Sequence, residues 1–201
     1  EQLIRLKSII LTVLNKHNVK YNEGNNKSVH FMEPFLYKVD IKRRPWIYYL
    51  VTDTLLSNSG HILLTKKLPY IYKNPQNSAL SYWVYTPSIL SDKPPLVFVH
   101  GIGSGILMYL PFLMDMHNKY SDRVIIIINI SCISMRYPTI NCDEICSMEK
   151  TLDSMKLILK TENIDDRECV YIGHSFGTMI VCWILNDSVQ TDTIFKIKQC
   201  I

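Results

Sequence analysis

The pentapeptide Gly173-His174-Ser175-Phe176-Gly177 sets a serine midway between two glycines. It follows the short apolar run 169–172 directly and opens a nearly all-apolar stretch reaching about residue 185. That context is a strand turning at once into a helix. Such a turn strains the backbone of its central residue and crowds the residues two before and two after it, which Gly173 and Gly177 relieve. Ser175 is then held at the carboxyl edge of a sheet with its hydroxyl exposed, over a helix N-terminus that stabilises developing negative charge. The chemistry this arrangement serves is nucleophilic attack on a carbonyl, with Ser175 as the nucleophile.

A second Gly-rich turn, His100-Gly101-Ile102-Gly103-Ser104-Gly105, ends the apolar run 96–99. Glycines here let a backbone N–H approach a reacting carbonyl closely. With Ser175 as nucleophile, the N–H groups of Ile102 and Phe176 form the expected oxyanion hole, so neither side chain needs to be polar. Gly101 and Gly103 shape the turn, and His100 is expected to position its backbone. A phosphate cradle is the other use of such a turn. The motif lacks the Lys-Ser/Thr of a P-loop, and its third glycine falls at 105 rather than at the 106 that G-x-G-x-x-G demands.

These two turns need elements to carry them. Residues 79–86 read as a strand closed by Pro87, with Trp83 and Tyr85 on one face and Tyr82 and Val84 on the other. Residues 96–99, 124–128 and 169–172 read as short strands apolar on both faces, as a parallel sheet covered by helices requires. Between them, residues 105–117 carry Leu107, Leu110, Leu113 and Met114 at helical spacing. Asn141 and Glu144 resemble a capping box, ahead of the stripe Ile145, Met148, Leu152, Met155 and Leu159. The last helix, from about Phe176 to Leu185, is read as buried throughout. This βαβα order predicts a doubly wound, mostly parallel α/β fold. With strand 96–99 central, strand 124–128 falls to one side and strand 169–172 to the other, which brings Ile102 and Ser175 to neighbouring strand ends.

Residues 95–186 resemble the N-terminal half of the α/β-hydrolase superfamily core, and within it a group of hydrolases from fungi and protists. The stretches that carry the likeness are Phe98-Val99-His100-Gly101-Ile102-Gly103, Tyr109-Leu110-Pro111-Phe112, Ile133-Ser134-Met135-Arg136 and Gly173 through Thr178. The resemblance implies ester hydrolysis through an acyl-enzyme on Ser175, with a catalytic Asp or Glu and then a His later in the chain. All six histidines (17, 30, 61, 100, 117 and 174) precede Ser175, and only Asp187 and Asp192 among acidic residues follow it. His174 flanks the nucleophile but is expected to project away from its hydroxyl. Residues 194–201 look like the start of the next strand, so the fold reads as incomplete at its C-terminus, with acid and base beyond residue 201. The segment alone is expected to be poorly soluble, because that open edge is apolar.

Residues 1–78 read as a helical N-terminal extension without a strand, and 79–201 as the N-terminal part of the catalytic domain. In the extension, residues 1–14 have helical spacing. Pro45 begins a helix running to about Leu56, and Asn58-Ser59-Gly60 ends it. Lys42-Arg43-Arg44 beside Trp46-Ile47-Tyr48-Tyr49-Leu50-Val51 reads as a helix packed on the catalytic flank, with peripheral membrane contact through residues 42–56 as the alternative.

The net charge of +4 is scattered, so no nucleic-acid footprint is expected. The six cysteines form no C-x-x-C pair and no metal spacing. They fit free thiols in a reducing, intracellular setting, with no metal and no cofactor. The expected partner is a small-molecule ester or lipid with an apolar acyl group. The rival reading is a non-catalytic hydrolase-like binding module or an inactive truncated product. Acyl transfer to an acceptor other than water would use the same residues.

Overall fold

The computed structural model describes residues 2–16, 18, 44–51, 58–89, 91–134, 147–190 and 194–201. The chain divides into two compact units, Glu1–Arg43 and Arg44–Ile201. In the first, the helix α1 spans Gln2–Lys16 and carries Ile9, Ile10, Leu11 and Val13 exposed.

The second unit is built on one sheet. Among the described residues, its strands are β1 (Ile71–Lys73), β2 (Ser81–Tyr85), β3 (Leu96–Val99), β4 (Ile125–Asn129), β5 (Cys169–Gly173) and β6 (Ile197–Cys200). They lie in the order β1-β2-β4-β3-β5-β6. The strands β4, β3, β5 and β6 run parallel, while β1 and β2 pair antiparallel at one edge. The helices are α2 (Trp46–Val51), α3 (Asn58–Ile62), α4 (Leu110–Tyr120), α5 (Met148–Thr161) and α6 (Phe176–Gln190). A π-helical turn at Leu63–Lys67 follows α3, and a 3-10 turn at Gly105–Tyr109 leads into α4.

Alternation along each strand feeds two cores. On one face, Tyr82, Val84, Val97, Val99, Ile126, Ile128 and Tyr171 pack with Leu152, Met155 and Ile158 of α5 and Ile180 and Ile184 of α6. On the other, Trp83, Leu96, Phe98, Ile125 and Ile127 pack with Leu64, Tyr70 and Ile106 and with Leu110, Leu113 and Met116 of α4. Each fully buried Val, Ile or Leu contributes ~1.5–3 kcal/mol, so these two-sided strands anchor the unit. The result is a doubly wound, mostly parallel α/β sheet, with β3 between β4 and β5.

Four sequence expectations need correction or fall outside the described residues. The stretch before residue 78 does contain a strand, β1, held by pairing with β2 at Ile71↔Val84, Tyr72↔Trp83 and Lys73↔Tyr82. Asn58-Ser59-Gly60 does not end a helix but begins α3. Gly60 is buried, and a Cβ there would lie 2.7 Å from Ile106 Cγ2, so this glycine serves close packing rather than a turn. The helix α6 buries one face only, leaving Met179, Leu185 and Val189 exposed. The Asn141/Glu144 cap and Ile145 lie outside the described residues. The α5 cap that is described is Ser147, whose side chain accepts the Lys150 N–H at 3.2 Å.

Candidate active site

The register of the two central strands determines what meets above them. Val99 pairs with Gly173, so the turns leaving β3 and β5 start level with one another. The His174 N–H donates to the Val99 carbonyl at 3.1 Å and continues the pairing one step further. Ser175 follows at φ 53°, in the left-handed region that L-residues with a Cβ avoid. Gly177 N–H returns to the His174 carbonyl at 2.9 Å and Thr178 N–H to the Ser175 carbonyl at 3.0 Å, which starts α6. The Thr178 hydroxyl also donates to the Ser175 carbonyl, at 2.6 Å.

The flanking glycines are required by contact. A Cβ on Gly177 would fall 2.1 Å from the Val99 carbonyl oxygen, and one on Gly173 would fall 2.9 Å from Gly177 backbone. The strand-to-helix turn therefore closes tightly on β3 beneath it, and Ser175 is left exposed at its crest.

The second turn presses against the first. A Cβ on Gly101 would lie 2.7 Å from Ser175 Cβ and 2.9 Å from the His174 carbonyl oxygen. His100 is fully buried behind it. The Ile130 N–H donates to His100 Nε2 at 3.0 Å, so the ring proton sits on Nδ1, which donates to the Gly101 carbonyl at 2.8 Å. Gly103 N–H donates to the Ile133 carbonyl at 3.1 Å and ties the turn to the segment after β4. Ile102 is 66% exposed. Among the described residues, no partner takes the Ile102 N–H or the Phe176 N–H, and none bonds the Ser175 hydroxyl. Phe176 lies half-buried against the α5–α6 core.

The other described histidines and Asp187 are engaged elsewhere. His174 Nδ1 meets the Tyr109 hydroxyl at 2.9 Å. His61 accepts the Trp83 indole N–H at 3.2 Å, and His117 packs between Tyr70 and Tyr85. Asp187, near the end of α6, pairs with Lys156 of α5 at 3.1 Å. His17, His30 and Asp192 lie outside the described residues. Among the described residues, no cluster of three His, Cys, Asp or Glu side chains could hold a metal ion.

No protein-family model matches the chain, and no curated protein sequence matches it. Its fold is similar to that of solved esterases. A highly thermostable carboxyl esterase from Bacillus coagulans matches at 17% identity and a TM-score of 0.38, over 59% of this chain and 40% of that one. A carboxylesterase from the thaumarchaeon Nitrososphaera gargenis matches at 21% identity and 0.39, over 66% and 43%. A poly(3-hydroxybutyrate) depolymerase from Bordetella parapertussis matches at 18% identity and 0.39, over 63% and 48%. The chain thus spans less than half the length of each of these proteins. They are bacterial and archaeal, and none bears on the fungal and protist group. Likenesses this distant carry nothing about the reaction, which has to be read from the two turns.

Tyr109 is the site residue that the sequence did not single out for a role. Its hydroxyl accepts the Gly101 N–H at 3.0 Å as well as meeting His174. Eight residues separate it from Gly101 and 65 from His174, and no periodicity or motif encodes a contact across such spans.

Proposed function

We propose that this chain carries the nucleophile and oxyanion half of a serine hydrolase acting on esters with apolar acyl groups, lipids included. The observation that carries the reading is Ser175 itself: an exposed hydroxyl on a left-handed residue between β5 and α6, against a Gly-rich turn with an N–H that takes no partner among the described residues. The Ser175 oxygen attacks the ester carbonyl while its proton passes to a histidine base. The carbonyl oxygen becomes an oxyanion held by the N–H groups of Ile102 and Phe176. Collapse of the tetrahedral species expels the alcohol, which takes the proton back, and leaves an acyl group on Ser175. Water then repeats the sequence to release the acid. In this reading an acid and then a histidine base follow Ser175 in chain order.

The test is covalent labelling of the full natural chain with a fluorophosphonate probe. The expected result is one label per molecule at Ser175, lost in Ser175→Ala. Equal labelling of the variant would remove Ser175 from the reaction.

A second reading, peripheral contact with an anionic lipid surface through residues 42–56, is supported by α2. Its Trp46 is 72% exposed, with Ile47, Tyr48, Leu50 and Val51 exposed beside it, and Arg44 precedes it. Trp and Tyr favour the headgroup zone and cations favour anionic lipid. No helix among the described residues is long and apolar enough to cross a membrane. Sedimentation with phosphatidylserine vesicles should carry the protein down, and Trp46→Ser with Leu50→Ser should leave it in the supernatant. A wild-type protein that never sediments would end this reading. The unpaired thiols Cys132, Cys169, Cys182 and Cys200 support a reducing, intracellular setting.

A further inference from the structure

The Gly-rich turn after β3 is held by two side chains, one on each peptide unit flanking the Gly101 Cα. His100 Nδ1–H holds the Gly101 carbonyl. Carbonyl and N–H of one trans peptide point in opposite directions, so this bond aims the Ile102 N–H away from His100. The preceding peptide contributes the Gly101 N–H, which donates to the Tyr109 hydroxyl at 3.0 Å. A phenol has a single hydrogen. With Gly101 acting as donor to the oxygen, the Tyr109 hydroxyl is also bonded to His174 Nδ1 at 2.9 Å.

Tyr109 therefore spans the two turns. One side of its hydroxyl takes the backbone of the turn that presents Ile102, and the other holds the residue next to Ser175. Its ring packs edge-on to Phe98 at 5.3 Å and to His174 at 5.4 Å between centroids, which fixes where the hydroxyl sits. Ser175 and Ile102 sit in turns that follow different strands, and a serine and an oxyanion donor must keep a fixed separation for one carbonyl to reach both.

We propose that Tyr109 is a positioning residue that locks the oxyanion turn to the nucleophile turn through His174. This rests on the reading of Ser175 as nucleophile and Ile102 N–H as oxyanion donor. Tyr109 acts by setting the distance between the two groups that react. A loosened separation weakens the transition state more than the ground state, so the effect falls on kcat rather than KM.

The experiment is steady-state hydrolysis of a short-chain p-nitrophenyl ester by the full natural chain. It compares wild type, Tyr109→Phe, His174→Leu, the double variant and Ser175→Ala. Tyr109→Phe keeps the ring contacts and removes only the hydroxyl. Its kcat should fall about tenfold, less than the roughly 10²–10³ of losing an oxyanion donor outright, with KM and melting temperature unchanged. His174→Leu, at an exposed position, should lower kcat in the same way. The double variant should be no slower than Tyr109→Phe alone, because both changes break one chain of bonds. A wild-type kcat in Tyr109→Phe, or losses that multiply in the double variant, would overturn the proposal. Should Tyr109→Phe melt early, a wild-type kcat in His174→Leu would overturn it equally. Hydrolysis persisting in Ser175→Ala would sink the hydrolase reading itself, whereas Ser175-dependent hydrolysis indifferent to Tyr109→Phe would sink only this inference.

Discussion

Gly101 and Ser175 touch: a Cβ on the glycine would stand 2.7 Å from the Cβ of the serine. The contact follows from register. Val99 and Gly173 are paired residues on adjacent parallel strands, and two steps beyond each the chain reaches Gly101 and Ser175. A parallel sheet thus brings two motifs 74 positions apart in sequence into van der Waals contact without either turn having to search for the other. The helix α5 makes this possible. The connection it carries takes the chain from β4 across β3 to β5, so that β3 ends between them at the switch point where crevices open in doubly wound sheets.

Gly101→Ala puts a methyl group where Ser175 Cβ and the His174 carbonyl already are. The 2.7 Å and 2.9 Å contacts cannot both be relieved by a side-chain rotation, since one of them is backbone. The turn must move, and it carries the Ile102 N–H. The rate of fluorophosphonate labelling should fall by about 10²-fold, a loss of the size that a 1 Å displacement produces, with the sheet intact by circular dichroism. Labelling at the wild-type rate would mean that the Gly101 turn plays no part in presenting the donor.

Ser175 holds φ 53°, a conformation costing on the order of 1 kcal/mol for a residue with a Cβ and nothing for glycine. Ser175→Gly should therefore melt higher than wild type while losing all labelling. Ser175→Ala, which keeps its Cβ, should lose labelling without that gain. Equal melting temperatures for the two variants would show that the turn is not strained at this residue.

The sheet was legible because Val124 through Ile128 and Leu96 through Val99 are apolar at every position, a pattern that suits a strand buried on both faces. The strand-to-helix turn at Gly173–Gly177 was legible because its glycines are compelled by backbone contacts that any such turn must make. What escaped did so for physical reasons. The strand β1 has only three residues, Ile71-Tyr72-Lys73, too few to show a period, and it exists through its partner β2. Gly60 looked like a stop, yet its missing Cβ makes room for Ile106, a contact made across 46 positions of chain. The exposed face of α6 is invisible in its composition, because Met179, Leu185 and Val189 are as apolar as the residues that pack. Tyr109 was inside a stretch that the family resemblance had already picked out, but only coordinates show its hydroxyl between Gly101 and His174.

The edge of the sheet is tied down by a charge. Glu162, at the end of α5 with its side chain only 8% exposed, accepts from Lys73 Nζ of β1 at 2.8 Å and from the Tyr82 hydroxyl of β2. Burial and this carboxylate together push the Tyr82 phenol well above its ordinary range. Removing the carboxylate leaves a half-buried ammonium and a buried hydroxyl facing nothing. Glu162→Ala should cost about 2–3 kcal/mol of unfolding free energy in urea, below the roughly 3–5 kcal/mol of breaking a fully buried pair because Lys73 is partly exposed. Glu162→Gln, which keeps an acceptor oxygen, should cost less. A loss below about 0.5 kcal/mol in Glu162→Ala would place the group among ordinary surface pairs.

Gly177→Ala is the most severe change that the site predicts. Its Cβ would sit 2.1 Å from the Val99 carbonyl oxygen and 2.8 Å from the Val99 carbonyl carbon, both backbone atoms of the central strand. Neither can step aside without breaking β3–β5 pairing, so the destabilisation should exceed the ~1–3 kcal/mol usual for overpacking. The expected outcome is an insoluble or molten protein, and a cooperative melt within about 5 °C of wild type would contradict the geometry of the turn.

His117 supplies the pH dependence. Its ring packs against Tyr85 at 4.7 Å and Tyr70 at 5.5 Å between centroids, and among the described residues its Nδ1 is buried without a hydrogen-bond partner. Desolvation lowers its pKa below the ordinary 6.5. Burial raises the pKa of the Tyr70 phenol that faces it. Below pH 6.5 the unfolded chain binds a proton at this imidazole that the folded chain refuses, so stability is whole above that pH and falls as pH drops through 6.5 toward the lower folded value. His117→Phe keeps an aromatic ring in the cage and removes the titration. Melting temperature measured from pH 8 down to pH 5 should therefore decline more steeply in wild type than in the variant. Parallel curves would show that His117 is not the group that responds.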